Sequence, residues 1–535
     1  MSTSAGTPHG PDATVPIGDG VACGLLAMLG GLAAAELLAG LVDRFRSPVT
    51  VVGDRVVDAV PTPVKDWAIR TFGTSDKAVL VGGTLILLAL AAAAVGVVAV
   101  RRSLRAGLVG VGVFTLVGVF AALGRGGAGG VVPALVAGAV AACVLALLAR
   151  RALAAIAGGG AGGGGAAVED DRVVSMRAAH ASSRRGFIGL AAAVGAGALA
   201  VGAAGRWLQQ QGAVAVERLK VVLPRPAVPA PPVPAGAELG VQGVTPFITP
   251  NDDFYRIDTA LVVPRVSTDD WTLRVTGYVD RPLTLTYEQL LARPMQETVA
   301  TIACVSNEVG GDLVGTARWL GCRLDDLLAE AGVQARADQV VGVSVDGFTA
   351  GFPTAVLDGR DALVVVGMNG EPLPEPHGYP ARLVVPGVYG YVSATKWLSE
   401  IRLTRFDEFE GYWIPRGWSR EGPVLTQSRI DTPRRGATVT AGRPVAVAGV
   451  AWAPVRGITG VEVQVDDEPW RPARLGEEYA ATTWRQWVLD WVPTPGAHTL
   501  KVRATDGTGT AQTGEVTDVA PDGARGWHTV RVTAR

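Results

Sequence analysis

The stretch Ala300-Thr-Ile-Ala-Cys304-Val-Ser-Asn307-Glu-Val-Gly310-Gly311 places one cysteine directly after a short apolar segment. The apolar run is typical of a buried β-strand, and the polar residues and glycine pair that follow it predict a loop. A cysteine on such a loop can act as a nucleophile or as a ligand for a soft metal. A structural cysteine is the alternative, because free cysteine is among the most buried residue types.

The overall composition indicates a membrane protein with several domains. At roughly 150 residues per domain, 535 residues predict three or four units. A formal net charge of −1 gives no sign of a nucleic-acid partner, and 48% hydrophobic residues point to membrane spans. Of the four cysteines, Cys23 and Cys143 fall in apolar runs and Cys322 occupies a position that suits core packing. No disulfide framework is expected.

Five apolar stretches in the first 206 residues have about the length that crosses a bilayer, roughly 20 residues. They are Val21–Val42, Ala78–Val100, Gly107–Gly124, Val131–Leu148 and Gly186–Gly205. We therefore predict an all-α transmembrane region, divided into a disordered tail (1–20), four helices (21–150), a cytoplasmic linker (151–185) and a fifth helix (186–206).

Arginine clusters set the expected orientation of these spans. One cluster lies between the second and third spans, and another lies between the fourth and fifth. The positive-inside rule assigns both clusters to the cytoplasm. The expected location is therefore the cell membrane, with several passes and with the globular part outside the cytoplasm.

The predicted spans contain almost no polar chemistry. None of the five histidines lies inside a span, so paired histidine ligation of haem within the bilayer is not expected, and we predict no haem. Glu36 is the exceptional charged residue within a span. It either marks a functional site or faces a neighbouring helix.

The fifth span is preceded by Ser183-Arg184-Arg185-Gly186-Phe187-Ile188. This hexamer resembles the twin-arginine export signal, in which an Arg-Arg pair and a phenylalanine precede an apolar run. An ordinary positively flanked anchor is the alternative. The twin-arginine pathway exports folded proteins, and folding before export is required when a cofactor is inserted in the cytoplasm.

Several segments of the globular part carry polar residues beside aromatic residues or glycine turns. After a proline-rich linker (207–240), these segments are Phe254-Tyr255-Arg256, Thr316-Ala-Arg-Trp319, His377-Gly-Tyr-Pro-Ala-Arg382 and Ala394-Thr395-Lys396-Trp397. Arginine, lysine and histidine side chains that converge near glycine turns suit a phosphate-bearing cofactor. Strands and helices alternate irregularly here, which predicts a mixed α+β domain over residues 241–410.

Together with the Cys304-x-x-Asn307 loop, these motifs resemble the sulfite oxidase family, in which they build the molybdopterin-binding domain. The resemblance implies that Cys304 is the catalytic thiolate and the only protein ligand of molybdenum. It also implies a set of residues that hold the pterin and its phosphate: Phe254, Tyr255, Arg256, Asp346, His377, Arg382, Ala394, Thr395 and Lys396. The chain departs from the family at Glu308, where sulfite oxidases carry an arginine that helps to bind the oxyanion.

The last segment, residues 420–535, consists of short alternating stretches separated by turns. This spacing predicts an all-β immunoglobulin-like sandwich. It resembles the dimerisation domain that follows the cofactor domain in the same family, which implies a homodimer.

The sequence thus predicts a membrane-anchored enzyme that uses a molybdenum–molybdopterin cofactor for two-electron oxygen-atom transfer. The substrate would be a small oxyanion, with reduction of an S-oxide or N-oxide as an alternative reaction. Because no cytochrome-like domain is recognised, a separate protein or a quinone would exchange the electrons. A non-catalytic cell-surface binding protein is the alternative from another class.

Replacing Arg184 and Arg185 by lysine tests the export hypothesis. We expect the double variant to keep its globular part in the cytoplasm, because the twin-arginine pathway requires the arginine pair while the positive charge is unchanged. Protease accessibility in intact cells and spheroplasts measures the location. Unchanged accessibility outside the cytoplasm would leave only a plain membrane anchor.

Overall fold

The computed structural model describes residues 15–42, 45–60, 64, 71, 76–123, 128–157, 186–205 and 213–535. The chain divides into two compact units, residues 1–212 and residues 213–535. The predicted export motif at Arg184 and Arg185, residues 1–14 of the tail and most of the linker 151–185 lie outside the described residues.

The described part of the first unit is helical. Its helices are α1 (Ile17–Leu41), α2 (Pro48–Ala59), α3 (Asp76–Arg101), α4 (Leu104–Ala121), α5 (Ala128–Ala157) and α6 (Gly186–Gly205). All except α2 are long and apolar enough to cross a membrane, which confirms the five predicted apolar helices. Helix α2 was not predicted. It begins with a proline at its first position, where the missing N–H costs no hydrogen bond.

Small residues bring the helices of this unit close together. A Cβ added to Gly24 of α1 would lie 1.9 Å from the carbonyl oxygen of Ala92 on α3, so only glycine permits this approach. Glu36 of α1 is buried and accepts a hydrogen bond from the Ser47 hydroxyl, directly before α2. The carboxylate within this apolar helix therefore contacts a neighbouring segment.

The second unit begins with a mixed α+β domain, as predicted. Its elements are α7 (Ala213–Lys220), β1 (Thr272–Gly277), β2 (Leu283–Thr286), α8 (Tyr287–Leu291), β3 (Met295–Ala303), β4 (Val314–Arg323), α9 (Leu324–Ala331), β5 (Gln339–Ser344), β6 (Thr349–Pro353), β7 (Leu363–Met368), β8 (Glu371–Pro372), β9 (Arg382–Val384), α10 (Gly390–Ser393) and β10 (Leu398–Thr404). One sheet has the order β3-β4-β7-β8 with β9 paired to β7, and the other has the order β2-β1-β10-β5-β6.

Strand β3 delivers Cys304 to the end of the first sheet. It pairs antiparallel with β4 along its whole length, from Met295 opposite Cys322 to Ala303 opposite Val314. Cys322 is 1% exposed within the hydrophobic core, which confirms its predicted packing role. The burial of β3 on both faces explains the apolar and small residues of its second half, from Val299 to Ala303.

The predicted proline-rich linker (207–240) packs on this domain in its described part, from Ala213 onward. Arg218 of α7 donates hydrogen bonds to the carbonyl oxygens of Pro372 (2.7 Å) and Leu373 (2.8 Å). In the proline-rich stretch, Val228 forms a parallel bridge with Gln296 of β3. Proline at a sheet edge is compatible with such pairing when its nitrogen faces away.

The unit ends in the predicted sandwich. Its strands are β11 (Gln427–Thr432), β12 (Thr438–Val439), β13 (Val445–Trp452), β14 (Ile458–Val465), β15 (Arg471–Pro472), β16 (Arg474–Leu475), β17 (Arg485–Trp491), β18 (Gly496–Asp506) and β19 (His528–Ala534). The two sheets have the orders β11-β13-β17-β16 and β12-β19-β18-β14-β15. Apolar residues of both sheets, with Trp487 fully buried, form the core between them.

Hydrogen bonds join the sandwich to β3, the strand that ends directly before Cys304. The amide of Thr301 in β3 donates to the Thr482 carbonyl (3.0 Å), and the Trp484 amide donates to the Thr301 hydroxyl (2.7 Å). The Trp484 indole donates to the carbonyl of Phe247 (2.8 Å). The two domains therefore support β3 from both sides.

Candidate cofactor-binding site

Cys304 lies at the start of a closed loop between β3 and β4. Its amide donates to the Leu313 carbonyl (2.9 Å), and the Asn307 amide donates to the Cys304 carbonyl (3.2 Å). The Asn307 side-chain oxygen accepts from the Leu313 amide (2.9 Å). Asn307 thus closes the loop internally, which explains why asparagine follows the cysteine at this spacing.

The Cys304 thiol is buried, with 8% of the residue exposed. Its Sγ lies 2.9 Å from the Ser306 hydroxyl. Burial raises the pKa of the Cys304 thiol, while the hydrogen bond to Ser306 and the positive charge of Lys396 oppose that rise. A thiol in this environment keeps its proton until a cation replaces it, because metals bind the thiolate form.

An aromatic cluster lies beside this loop. Phe254 is 5% exposed and stacks on Tyr255, with 5.3 Å between ring centroids. It also meets Trp319 and His377 edge-on at 5.7 and 5.6 Å. A Cβ added to Gly315 of β4 would lie 2.7 Å from the Phe254 ring, so glycine makes room for the phenylalanine.

Tyr255 continues the cluster toward the thiol. Burial raises the pKa of the Tyr255 hydroxyl. A thiolate at Cys304 raises this pKa further, and the guanidinium of Arg382 lowers it, so the hydroxyl interacts electrostatically with both groups. A Cβ built on Gly390 would lie 4.0 Å from the Tyr255 hydroxyl and 3.8 Å from the carbonyl oxygen of Ala303, the residue before Cys304. The predicted pair Phe254 and Tyr255 therefore lies next to Cys304.

His377 and Arg382 are brought together behind the cluster. Burial lowers the pKa of His377 to about 4, so the ring is neutral at pH 7 and its Nε2 donates to the Asn251 carbonyl at 3.1 Å. Arg382 is 4% exposed, donates to the His377 carbonyl (3.1 Å) and lies 5.3 Å from the centre of the Trp319 ring. Burial lowers the pKa of Arg382 to about 10, which leaves the guanidinium charged.

Lys396 and Arg256 converge on one carboxylate that the sequence analysis missed. Asp258 Oδ2 lies 2.8 Å from Lys396 Nζ and 2.8 Å from Arg256 Nε. Burial lowers the pKa of Lys396 to about 8, and Asp258 opposes this effect. The sequence could have indicated Asp258 by its position two residues after Arg256. Its pairing with Lys396 gives no local signal, because the two residues are 138 positions apart.

The two remaining predicted polar residues are used within the protein. Asp346 is buried and accepts a hydrogen bond from the Phe348 amide (3.1 Å), which stabilises the turn between β5 and β6. The hydroxyl of the fully buried Thr395 donates to the Gly342 carbonyl (3.4 Å). Ala394 lies at the end of α10, where its amide donates to Gly390. The bonds of Thr395 and Ala394 thus fix the backbone directly before Lys396.

The local charge balance fits an anionic group. Arg256, Arg382 and Lys396 contribute three cations, and Asp258 contributes one carboxylate, so three minus one leaves two positive charges. Arg382 forms no ion pair with a carboxylate in the part of the chain that the structure describes. Arg256 is exposed to water and Lys396 is paired, so Arg382 is the buried cation among them without a carboxylate partner. A buried cation without a partner is costly, and phosphate is an anion that arginine recognises well.

The donor set also fits a metal that arrives with ligands of its own. Among the described residues, no group of three or more His, Cys, Asp or Glu side chains could hold a metal ion. Cys304 therefore offers one soft sulfur near a cluster of positively charged side chains. That combination suits a metal carried by a phosphate-bearing organic cofactor and does not suit a metal bound by protein ligands alone.

Comparison with known proteins finds a matching family profile in each domain of the second unit. The profile of the family "Oxidoreductase molybdopterin binding domain" matches residues 260–413, and the profile "Bacterial Ig domain" matches residues 427–502. "Uncharacterized oxidoreductase YuiH" of Bacillus subtilis (strain 168) is 35% identical over 160 residues, which cover 30% of this chain and 78% of YuiH.

Two further relatives carry named activities. Mitochondrial sulfite oxidase of Rattus norvegicus is 32% identical over 291 residues, covering 45% of this chain and 53% of that protein. Inducible nitrate reductase [NADH] 2 of Glycine max is 29% identical over 240 residues, covering 40% of this chain and 26% of that protein. The chain thus spans about half the length of the sulfite oxidases that it matches.

Fold, site and matches together define a molybdopterin-dependent oxidoreductase. The chain belongs to the sulfite oxidase family, and it joins that family's cofactor domain to an Ig-like sandwich and to apolar N-terminal helices. Membership of an enzyme family argues against the alternative of a non-catalytic surface protein.

The low pKa of Lys396 predicts that cofactor loading depends on pH. Lys396 carries its charge below a pH of about 8 and loses it above that pH, so the pocket attracts phosphate less strongly in alkaline solution. We expect cofactor-free protein to load less molybdopterin at about pH 9.5 than at about pH 7. The measurement is bound pterin, released, oxidised and quantified by fluorescence.

Lys396→Arg is the matched control, because a guanidinium stays charged at both pH values. It should remove most of the difference in loading between the two pH values. An equal alkaline loss of loading in the variant and the natural protein would contradict a role for the Lys396 charge.

Proposed function

We propose that this protein is a membrane-anchored molybdenum enzyme that catalyses two-electron oxygen-atom transfer in the manner of a sulfite oxidase. The observation that carries the proposal is the buried Cys304 thiol near a cluster of three cations and one carboxylate. When bound, the cofactor supplies the redox and oxygen-atom-transfer chemistry. The chain supplies the site in which that chemistry occurs.

Each residue of the pocket has a definable task in this proposal. Cys304 would give up its proton and hold the metal through sulfur, while Arg382, Lys396 and Arg256 would bind the phosphate of the cofactor. Neutral His377 would keep its position because its Nε2 donates a hydrogen bond to the Asn251 carbonyl. Phe254 and Tyr255 would pack on the pterin side of the pocket and exclude water.

The preferred substrate is a small oxyanion such as sulfite. Family membership supports this choice, and water limits the repulsion from the exposed Glu308 side chain to about 1 kcal/mol. Reduction of a neutral S-oxide or N-oxide is the second candidate. The observation that favours it is the pair of exposed acids, Glu308 and Asp312, on the loop that follows Cys304.

The cellular setting follows from the helices and the charge pattern. Five apolar helices support attachment to the cell membrane, and the arginine clusters support an extracytoplasmic catalytic domain. Two-electron turnover at the cofactor requires a separate electron carrier, either a protein or a membrane quinone. The sandwich resembles a dimerisation domain, and we propose a homodimer on that basis.

Cys304→Ser tests the proposed metal ligand directly. A hydroxyl is a poor ligand for a soft metal–sulfur centre, so the variant should lose its molybdenum and its activity. Metal content by mass spectrometry and turnover with a redox dye are the measurements. Cys322→Ser is the matched control, since Cys322 is buried in the core away from the pocket, and it should keep its molybdenum. Full molybdenum and normal turnover in Cys304→Ser would refute the assignment.

Glu308→Gln distinguishes the two substrate classes. In the proposed function sulfite would bind within a few ångströms of Glu308, where removing one negative charge in water changes the interaction by about 1 kcal/mol. We therefore expect kcat/KM for sulfite to rise roughly fivefold while kcat/KM for a neutral sulfoxide stays unchanged. Glu288→Gln, an equally exposed change on α8, is the control and should leave both values unchanged. A Glu308→Gln effect of equal size on both substrates would show that the charge does not act on substrate.

A further inference from the structure

One arginine of the sandwich reaches across to the loop that begins at Cys304. Arg429 of β11 is 8% exposed, and its Nη1 donates to the carbonyl oxygen of Gly311 at 2.9 Å. Its Nη2 donates to the Thr245 hydroxyl at 2.8 Å, and its Nε pairs with Asp431 at 2.6 Å. One planar guanidinium thus joins the sandwich, the loop and the first segment of the oxidoreductase domain.

The contact with Gly311 acts on the loop at its far end. The Gly311 amide donates to the Glu308 carbonyl (2.8 Å), and Asn307 and Leu313 then connect the turn back to Cys304. The loop has no strand or helix of its own between β3 and β4. A fixed Gly311 carbonyl therefore limits how far the loop, and with it Cys304, can shift.

The loop is also restrained at the neighbouring residue. Gly310 has φ +80°, and a Cβ there would lie 2.2 Å from Cδ2 of His528 on β19. The His528 ring is fixed because its Nδ1 accepts a hydrogen bond from the Ile430 amide at 3.0 Å. Glycine is therefore required at this position by both its backbone conformation and its packing.

Arg429 is itself held firmly. Asp431 uses one oxygen for Arg429 and the other for the Thr245 amide at 2.9 Å, and both members of the ion pair are buried. An arginine fork with three fixed partners has little freedom to move. The site of contact is therefore rigid on the sandwich side.

We propose that Arg429 of the Ig-like sandwich is a positioning residue that sets the place of the Cys304 sulfur over the cofactor pocket. The proposal rests on the proposed function, in which Cys304 binds the metal. The sandwich would therefore help to position the metal ligand of the same chain. Groups that orient a metal ligand alter activity about 10- to 100-fold when they are changed.

The test compares Arg429→Lys and Arg429→Gln with the natural full-length protein. Arg485→Lys is the matched control, because Arg485 also donates to backbone carbonyls, those of Gly476 and Ile458, but remains within the sandwich. Three quantities are measured: bound pterin, the thiolate-to-metal absorption bands, and kcat and KM separately.

The Arg429 variants should keep their pterin, because Arg382, Lys396 and Arg256 are untouched. Their absorption bands should shift and kcat should fall about tenfold, with KM nearly unchanged, since the disturbed element is the metal ligand. Arg429→Lys should recover part of kcat, because an ammonium can still pair with Asp431 and reach one further acceptor. Arg485→Lys should match the natural protein.

The proposal is overturned if both Arg429 variants show the natural absorption bands and kcat. Gly310→Ala provides an independent test from the loop side and should shift the same bands, so natural bands in this variant also count against the proposal. Failure of the proposed function is a different result, because Cys304→Ser would then keep its molybdenum in the natural Arg429 background.

Discussion

The central physical constraint of this structure is an excess of buried positive charge beside a buried thiol. Arg382 is enclosed by the Trp319 ring and backbone carbonyls, and Lys396 shares the Asp258 carboxylate with Arg256. Enclosing cations without equal negative charge costs several kcal/mol for each unpaired ion. A bound phosphate would remove that cost. Cofactor binding is therefore expected to stabilise the folded domain.

Two domains hold the residues of this site in place. Strand β3 places Cys304 at the end of a sheet, and the sandwich contacts both that strand and the following loop, through Thr482, Trp484 and Arg429. Such contacts make the sandwich part of the frame of the site. The same packing incorporates α7 and the proline-rich stretch, so the catalytic unit begins immediately at Ala213.

Local sequence patterns predicted the elements, and contacts between distant residues decided the details. Hydropathy was sufficient for the five apolar helices, and alternation was sufficient for the sandwich, because both depend on spacing along the chain. The motifs around Cys304, His377 and Arg382 indicated the site residues through resemblance. The pairing of Asp258 with Lys396 could not be predicted, since it depends on the relative placement of two loops.

The same limit explains the other differences. The hydrogen bond from Arg429 to Gly311 depends on tertiary packing, as does the packing of the proline-rich linker on the domain. Helix α2 escaped prediction because it is short and carries mixed polar and apolar residues, so its hydropathy resembles that of a loop.

The account depends most directly on the bond between the Cys304 sulfur and molybdenum. X-ray absorption at the molybdenum K-edge of the purified protein counts the sulfur neighbours of the metal. We expect metal-loaded natural protein to show one sulfur neighbour more than the small metal-containing fraction that remains in Cys304→Ala protein. The same number of sulfur neighbours in both proteins would contradict the central claim.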